Sequence, residues 1–201
     1  LMNTLKEKGF DFENDLLVAV GDLVDRGPQN LECIELLSQP WFTSIRGNHE
    51  DLCIWGRCDY PSARCHIANG GEWFYELSVE DQFSIAKTFS ALPVALEVSH
   101  HGKKFGFVHG HIEQNDWDEF KQVLNNPFSK KIGGRSPADL AMWGRERLDP
   151  DATQYTHVSG VDAVFMGHSV VNRVCRRDDC YYIGVGSCFY GRLAVLNLAE
   201  I

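Results

Sequence analysis

With 201 residues, 44% of them hydrophobic, the chain is long enough for one sizeable core and short for two, so a single domain over residues 1–201 is expected. A net charge of −9 with scattered basic residues argues against a duplex-binding face, and no nucleic-acid partner is expected. No stretch reaches the roughly 18 uncharged apolar residues of a membrane span and no charged-then-apolar signal opens the chain, so the expectation is a soluble, cytoplasmic protein without a membrane role.

Leu1, Met2 and Leu5 are spaced like one face of a helix already under way, which predicts sequence upstream of Leu1. Residues 16–20 are a short apolar run ending at Gly21, and residues 31–37 then take a helical spacing that stops near Pro40. Residues 41–45 read as the next strand, and residues 50–55 as the start of a helix behind Gly47-Asn48-His49. Residues 59–71 read as a surface loop. Ser78 followed by Asp81 caps a helix running to about Ala91, where Pro93 stops it. Residues 94–98 and 105–108 flank His101-Gly102 and predict a hairpin, and residues 125–137 a second long loop. Ser136-Pro137 opens a helix through Arg147, and residues 161–166, 170–175, 181–185 and 193–198 read as strands. An α/β first half followed by an antiparallel-looking second half predicts a sheet-based sandwich covered by helices. The seven cysteines are irregularly spaced, which predicts reduced thiols in place of a disulfide framework.

Four segments share one layout: an apolar run, a glycine at or beside its end, then a potential metal ligand. They are Val18-Ala19-Val20-Gly21-Asp22, Ser44-Ile45-Arg46-Gly47-Asn48-His49, Phe107-Val108-His109-Gly110 and Val164-Phe165-Met166-Gly167-His168. Taken singly, each reads as an ordinary turn or an isolated histidine. Four together predict ligands gathered where strands end, with glycines letting backbone come close. Asp22, Asn48, His109 and His168 form a mixed oxygen and nitrogen set that suits manganese, iron or zinc better than calcium or magnesium.

Gly21-Asp22-Leu23-Val24-Asp25-Arg26-Gly27 and Gly47-Asn48-His49-Glu50 resemble two signature motifs of the phosphoprotein phosphatases. Pro40-Trp41-Phe42, Asn69-Gly70-Gly71, Trp73-Phe74, Trp143-Gly144-Arg145-Glu146-Arg147 and Gly167-His168 match, in order, the bacteriophage lambda type of these enzymes. The resemblance implies a metallophosphoesterase-type α/β sandwich of two mixed sheets flanked by helices. It also implies a metal-dependent phosphomonoester hydrolase acting on a phosphorylated protein or peptide through two divalent ions, manganese foremost with iron or zinc possible. By the same resemblance Asp22 bridges the ions, while Asn48, His109 and His168 complete the shell of the second. His49 is then the general acid, Asp25 orients it, and Arg26, Arg46 and Arg145 hold phosphate oxygens, a task suited to guanidinium. The family's Asp-x-His-Gly motif is expected just upstream of Leu1.

The chain departs from the lambda type at His109-Gly110-His111, where relatives read His-Ala-Asp, and at Gly184, where they carry Asp. Three rival readings stay open. A dinucleoside tetraphosphate hydrolase shares the metal motifs but typically reads Gly-Asn-His-Asp, so Glu50 points the other way. A non-catalytic phosphate-binding protein is a second. A structural zinc module of Cys53, Cys58, Cys65 and His66 is a third. Trp73, Phe74 and Tyr75 read as packing under a loop, and His100-His101 as a solvated turn.

Overall fold

The apolar run before Gly21 becomes strand β1 (Leu17–Ala19), paired in parallel with β2 (Phe42–Ser44), in a computed structural model that describes residues 1–201. Two compact units make up the chain, Leu1–Pro93 and Val94–Ile201.

In the first unit, α1 (Met2–Glu7) buries Leu5 completely. α2 (Asn30–Glu35) is extended by a 3₁₀ turn (Leu36–Ser38) before β2, and α3 (Asn48–Gly56) follows Gly47. The segment expected as a loop, residues 59–71, instead contains α4 (Tyr60–Ala68). The Asp59 carboxylate accepts the Ser62 N–H, and Pro61 stands in the first turn, where its missing N–H has no helical partner to lose. α5 (Glu72–Tyr75) and α6 (Val79–Ser90) complete the unit, the latter capped as expected by Ser78 accepting from the Asp81 N–H. Val24, Cys53, Phe74, Ile85 and Phe89 form its core, so the aromatic run at Trp73-Phe74-Tyr75 does pack inward, with Phe74 fully buried.

In the second unit, β3 (Ala95–His100) and β4 (Lys103–Val108) make the expected hairpin. Its two turn residues, His101 and Gly102, both have positive φ (49° and 78°), the backbone that two-residue hairpins need to match strand twist. β5 (Ala163–Met166), β6 (Cys175–Arg177) and β7 (Cys180–Tyr182) complete a mixed five-stranded sheet in the order β3-β4-β5-β7-β6. The pairs β4/β5 and β5/β7 are parallel. α7 (Trp117–Asn125), capped by Asp116 on the Glu119 N–H, went unanticipated. α8 (Pro137–Trp143) ends at Gly144, short of the expected Arg147, and a 3₁₀ turn (Glu146–Leu148) follows. α9 (Ser187–Tyr190) is a single turn.

Two strand expectations shift. The run at residues 170–175 is extended only from Cys175 on, and residues 193–198 hold no strand. Alternating apolar residues favour a pleated backbone, but a strand exists only where a neighbour supplies the matching N–H and C=O groups. The second core gathers Val108, Ile112, Trp117, Phe120, Val158, Val164, Met166 and Tyr182. All seven cysteines are free, and no helix is long and apolar enough to cross a membrane.

Candidate active site

After β1 the chain turns through the left-handed region at Gly21 (φ 84°), Asp22 (φ 56°), Asp25 (φ 75°) and Arg26 (φ 61°). Side-chain-bearing residues held in such sparsely populated conformations cost on the order of 1–3 kcal/mol each and need surroundings that enforce them. Glu50 supplies that support. Its fully buried carboxylate accepts the N–H groups of Asp22 (2.9 Å), Leu23 (2.7 Å) and Gly47 (2.7 Å). Asn30 adds to it, its Oδ1 accepting the Asp25 N–H at 2.7 Å while its amide donates to the Gly27 carbonyl at 3.0 Å. Glu50→Ala therefore strands three backbone donors. At about 1–3 kcal/mol per unsatisfied group the loss should reach about 3 kcal/mol or more, measured as a lower urea midpoint, and parental stability would contradict the clamp.

The same clamp joins the two motifs. Gly47 precedes α3, and a Cβ there would stand 2.5 Å from Asp22 Oδ1 and 2.6 Å from the Asp22 nitrogen. Glycine thus keeps the Asp22 carboxylate uncrowded beside Asn48 and His49, the first two residues of α3, and the His49 N–H donates to Asp22 Oδ1 at 3.3 Å.

His49 is buried, and its Nδ1 donates to Asp25 Oδ2 at 2.5 Å. Its Nε2 accepts from Arg26 Nη1 at 2.9 Å, so the ring proton resides on Nδ1 in this state. Arg26 Nη2 donates to Asn69 Oδ1 at 2.7 Å. Asp25 collects two further donors on Oδ1, Trp73 Nε1 at 2.7 Å and His66 Nε2 at 3.2 Å. Burial pushes the Asp25 carboxyl up, but the bonds from His49, His66 and Trp73 outweigh it and hold the group below the usual carboxylate range. A carboxylate with a depressed folded pKa adds stability that is complete above its unfolded value and is lost as pH falls through the folded one. The stability difference between the parent and Asp25→Asn should therefore shrink below about pH 4; a difference constant from pH 6 to pH 3 in chemical unfolding would count against it.

Arg46 is less free than the family role suggests. Its Nη2 donates to the carbonyls of Ser90 (2.6 Å) and Leu92 (3.1 Å), Nη1 lies 3.7 Å from Asp51, and Nε is buried without a partner.

In the second unit, the parallel neighbours β4 and β5 end on His109 and, after Gly167, His168. Their imidazole centroids are 5.1 Å apart, His109 fully buried and His168 also against Trp143 at 6.0 Å. The side chain of Arg145 is exposed. Arg147, two residues on, is buried and donates to the carbonyls of Ile112, Gln114 and Thr156, which makes it a brace for the 112–115 segment. His111, the departure from the lambda pattern, lies in the same brace: Nε2 donates to Glu113 (2.8 Å) and Nδ1 accepts the Arg147 N–H (3.4 Å). Burial pulls its pKa down, and the Glu113 bond offsets part of that.

The Asp22 carboxylate at the first turn of α3 in the first unit, and two imidazoles side by side in the second, are donor types that manganese, iron and zinc accept. With Gly47 leaving the Asp22 carboxylate clear, the donors of each unit are chemically suited to a divalent ion of that kind.

Sequence reasoning named His66, Trp73, Asn69 and Glu50 but gave none of them its place around Asp22, Asp25 and Arg26. The zinc grouping is not assembled: both His66 nitrogens are engaged, Cys58 is exposed, and burial pushes the Cys53 thiol far above its ordinary range. The available signal was the placement of His66 three residues before Asn69-Gly70-Gly71.

Residues 1–172 match the calcineurin-like phosphoesterase family. The chain belongs to this family. It is 32% identical to serine/threonine-protein phosphatase 1 of Salmonella typhimurium, over 98% of this chain and 85% of that protein. It is 28% identical to serine/threonine-protein phosphatase 2 of Escherichia coli, over 98% and 86%. A crystal structure provisionally assigned as a diadenosine tetraphosphatase shares the fold with a TM-score of 0.59 at 16% identity, covering 94% of this chain and 78% of that one. The cold-active protein-tyrosine phosphatase of a psychrophilic Shewanella species does so with a TM-score of 0.53 at 15% identity, covering 88% and 61%. The chain is thus a phosphoester hydrolase of a family that works with divalent metal ions, and its mixed α/β fold with two sheets is that family's.

Proposed function

We propose that this calcineurin-like phosphoesterase is a protein phosphatase that hydrolyses phosphoserine and phosphothreonine, in one step, with two divalent ions for which manganese is the first choice. Its likeness to two bacterial enzymes named serine/threonine-protein phosphatases supports the substrate class. The observation that carries the chemistry is the buried Asp25-His49 pair with Arg26 on the outer nitrogen of His49, beside Asp22 and Asn48.

Asp22, Asn48, His109 and His168 are the protein's candidate ligands in this reading. Bound divalent ions acidify water toward neutrality and offset charge on phosphoryl oxygens. Asp25 holds the His49 ring in one orientation and its carboxylate favours a positive imidazole, so His49 Nε2 can deliver a proton to the departing serine or threonine oxygen. Arg26 reaches the same nitrogen now; turned to the phosphate, it leaves Nε2 to the leaving group and places its charge on the oxygens where charge accumulates. Arg46, whose Nη2 is committed to main-chain carbonyls, and exposed Arg145 are the remaining candidates for holding phosphate oxygens. Seven free thiols favour the cytoplasm as its compartment.

The test is release of phosphate from a phosphoserine peptide and from a dinucleoside tetraphosphate by protein stripped with chelator and reloaded with manganese, iron or zinc. Peptide turnover restored best by manganese is the expected result. Preference for the dinucleotide would move the enzyme to the small-molecule branch of the family, and no turnover of either with full metal loading would leave a phosphate-binding protein.

A further inference from the structure

Behind Asp25 lies a second histidine that the chemistry above does not use. His66 is fully buried in α4, its ring packed between Phe74 and Tyr75 at centroid distances of 5.5 Å. Its Nε2 stands 3.0 Å from Asp25 Oδ2, and its Nδ1 is 3.2 Å from the Tyr75 hydroxyl. A hydroxyl donating to Nδ1 leaves the ring proton on Nε2, where the carboxylate accepts it. Two glycines make room for this chain of groups: a Cβ at Gly71 would lie 2.2 Å from His66 Nε2, and one at Gly56 would lie 2.2 Å from the Tyr75 oxygen.

We propose that His66 is a positioning residue: set behind Asp25 and fixed in one tautomer by Tyr75, it aims the Asp25 carboxylate at His49. The inference rests on the reading of His49 as general acid. Trp73 and His66 both donate to Oδ1, at 2.7 and 3.2 Å, which fixes that oxygen and leaves Oδ2 to the His49 Nδ1 at 2.5 Å. As a neutral donor His66 orients Asp25 without neutralising it, so the carboxylate's charge remains available to a protonated His49.

Phenyl phosphate and p-nitrophenyl phosphate separate positioning from simple structural support. Phenolate is as basic a leaving group as an ordinary tyrosinate and needs a proton from the enzyme, whereas nitrophenolate scarcely does. His66→Leu should lower kcat about 10-fold more on phenyl phosphate than on p-nitrophenyl phosphate, the scale of losing a group that supports a site residue, with KM unmoved. His66→Gln, which restores an N–H near the position of Nε2, should recover most of that selective loss. In a His49→Asn background, His66→Leu should add no further selectivity. If His66→Leu does not fold, Tyr75→Phe, which removes only the hydroxyl that fixes the tautomer, should show the same selectivity at smaller size and then decides. Equal losses on both substrates, or additivity with His49→Asn, overturn the inference while the general-acid reading stands. Equal losses in His49→Asn alone remove that reading and this inference with it.

Discussion

Asp22→Asn is expected to lower turnover by on the order of 10³-fold, since ions that lose a charged ligand forfeit about 4 kcal/mol of transition-state stabilisation. The substitution is nearly isosteric. Asn tolerates the left-handed backbone that Asp22 adopts at φ 56°, and it fits the clearance that Gly47 provides, so the Glu50 clamp on the Asp22 N–H should survive. What changes is charge, because an amide has one acceptor oxygen and cannot serve two cations as a carboxylate can. Elemental analysis should find less metal per chain, and unfolding should be close to the parent's. Parental metal content together with parental turnover would take Asp22 out of the proposed ligand set.

His49→Asn should act differently. Asn can keep a donor toward Asp25 but has no group able to carry a proton to a leaving oxygen, so turnover of phenyl phosphate should fall roughly 10²–10³-fold. Metal content should remain that of the parent, because no ligand is removed. The pairing of an intact metal load with a slow reaction distinguishes the two variants, and parental turnover on a basic leaving group would end the assignment of His49.

The local signals that proved readable were those with a short-range physical cause. Gly21 and Gly47 punctuate the ends of apolar runs, and the residues behind them, Asp22, Asp25, Arg26, Asn48 and His49, are brought together by hydrogen bonds within one unit. His109 and His168 become neighbours because their strands are adjacent and parallel. The Ser78 and Ser136 caps marked their helices for the same local reason. What stayed hidden depended on partners far away in sequence. Residues 193–198 are an apolar run like a strand's but have no ladder to join. His66 lies 41 residues from Asp25, and its place just before Asn69-Gly70-Gly71 marks the segment without naming that partner.

The left-handed stretch from Asp22 to Arg26 sets two selective pressures against each other. Glycine at position 22 or 26 would relax the backbone, so there it is chiefly the side chain's chemistry that argues for keeping it, whereas the Asp25 carboxylate also stabilises the fold through the bonds it accepts. A search for heat-hardened variants that scored survival of the fold without scoring turnover would drift toward this loop and enrich sequences that last longer and do nothing.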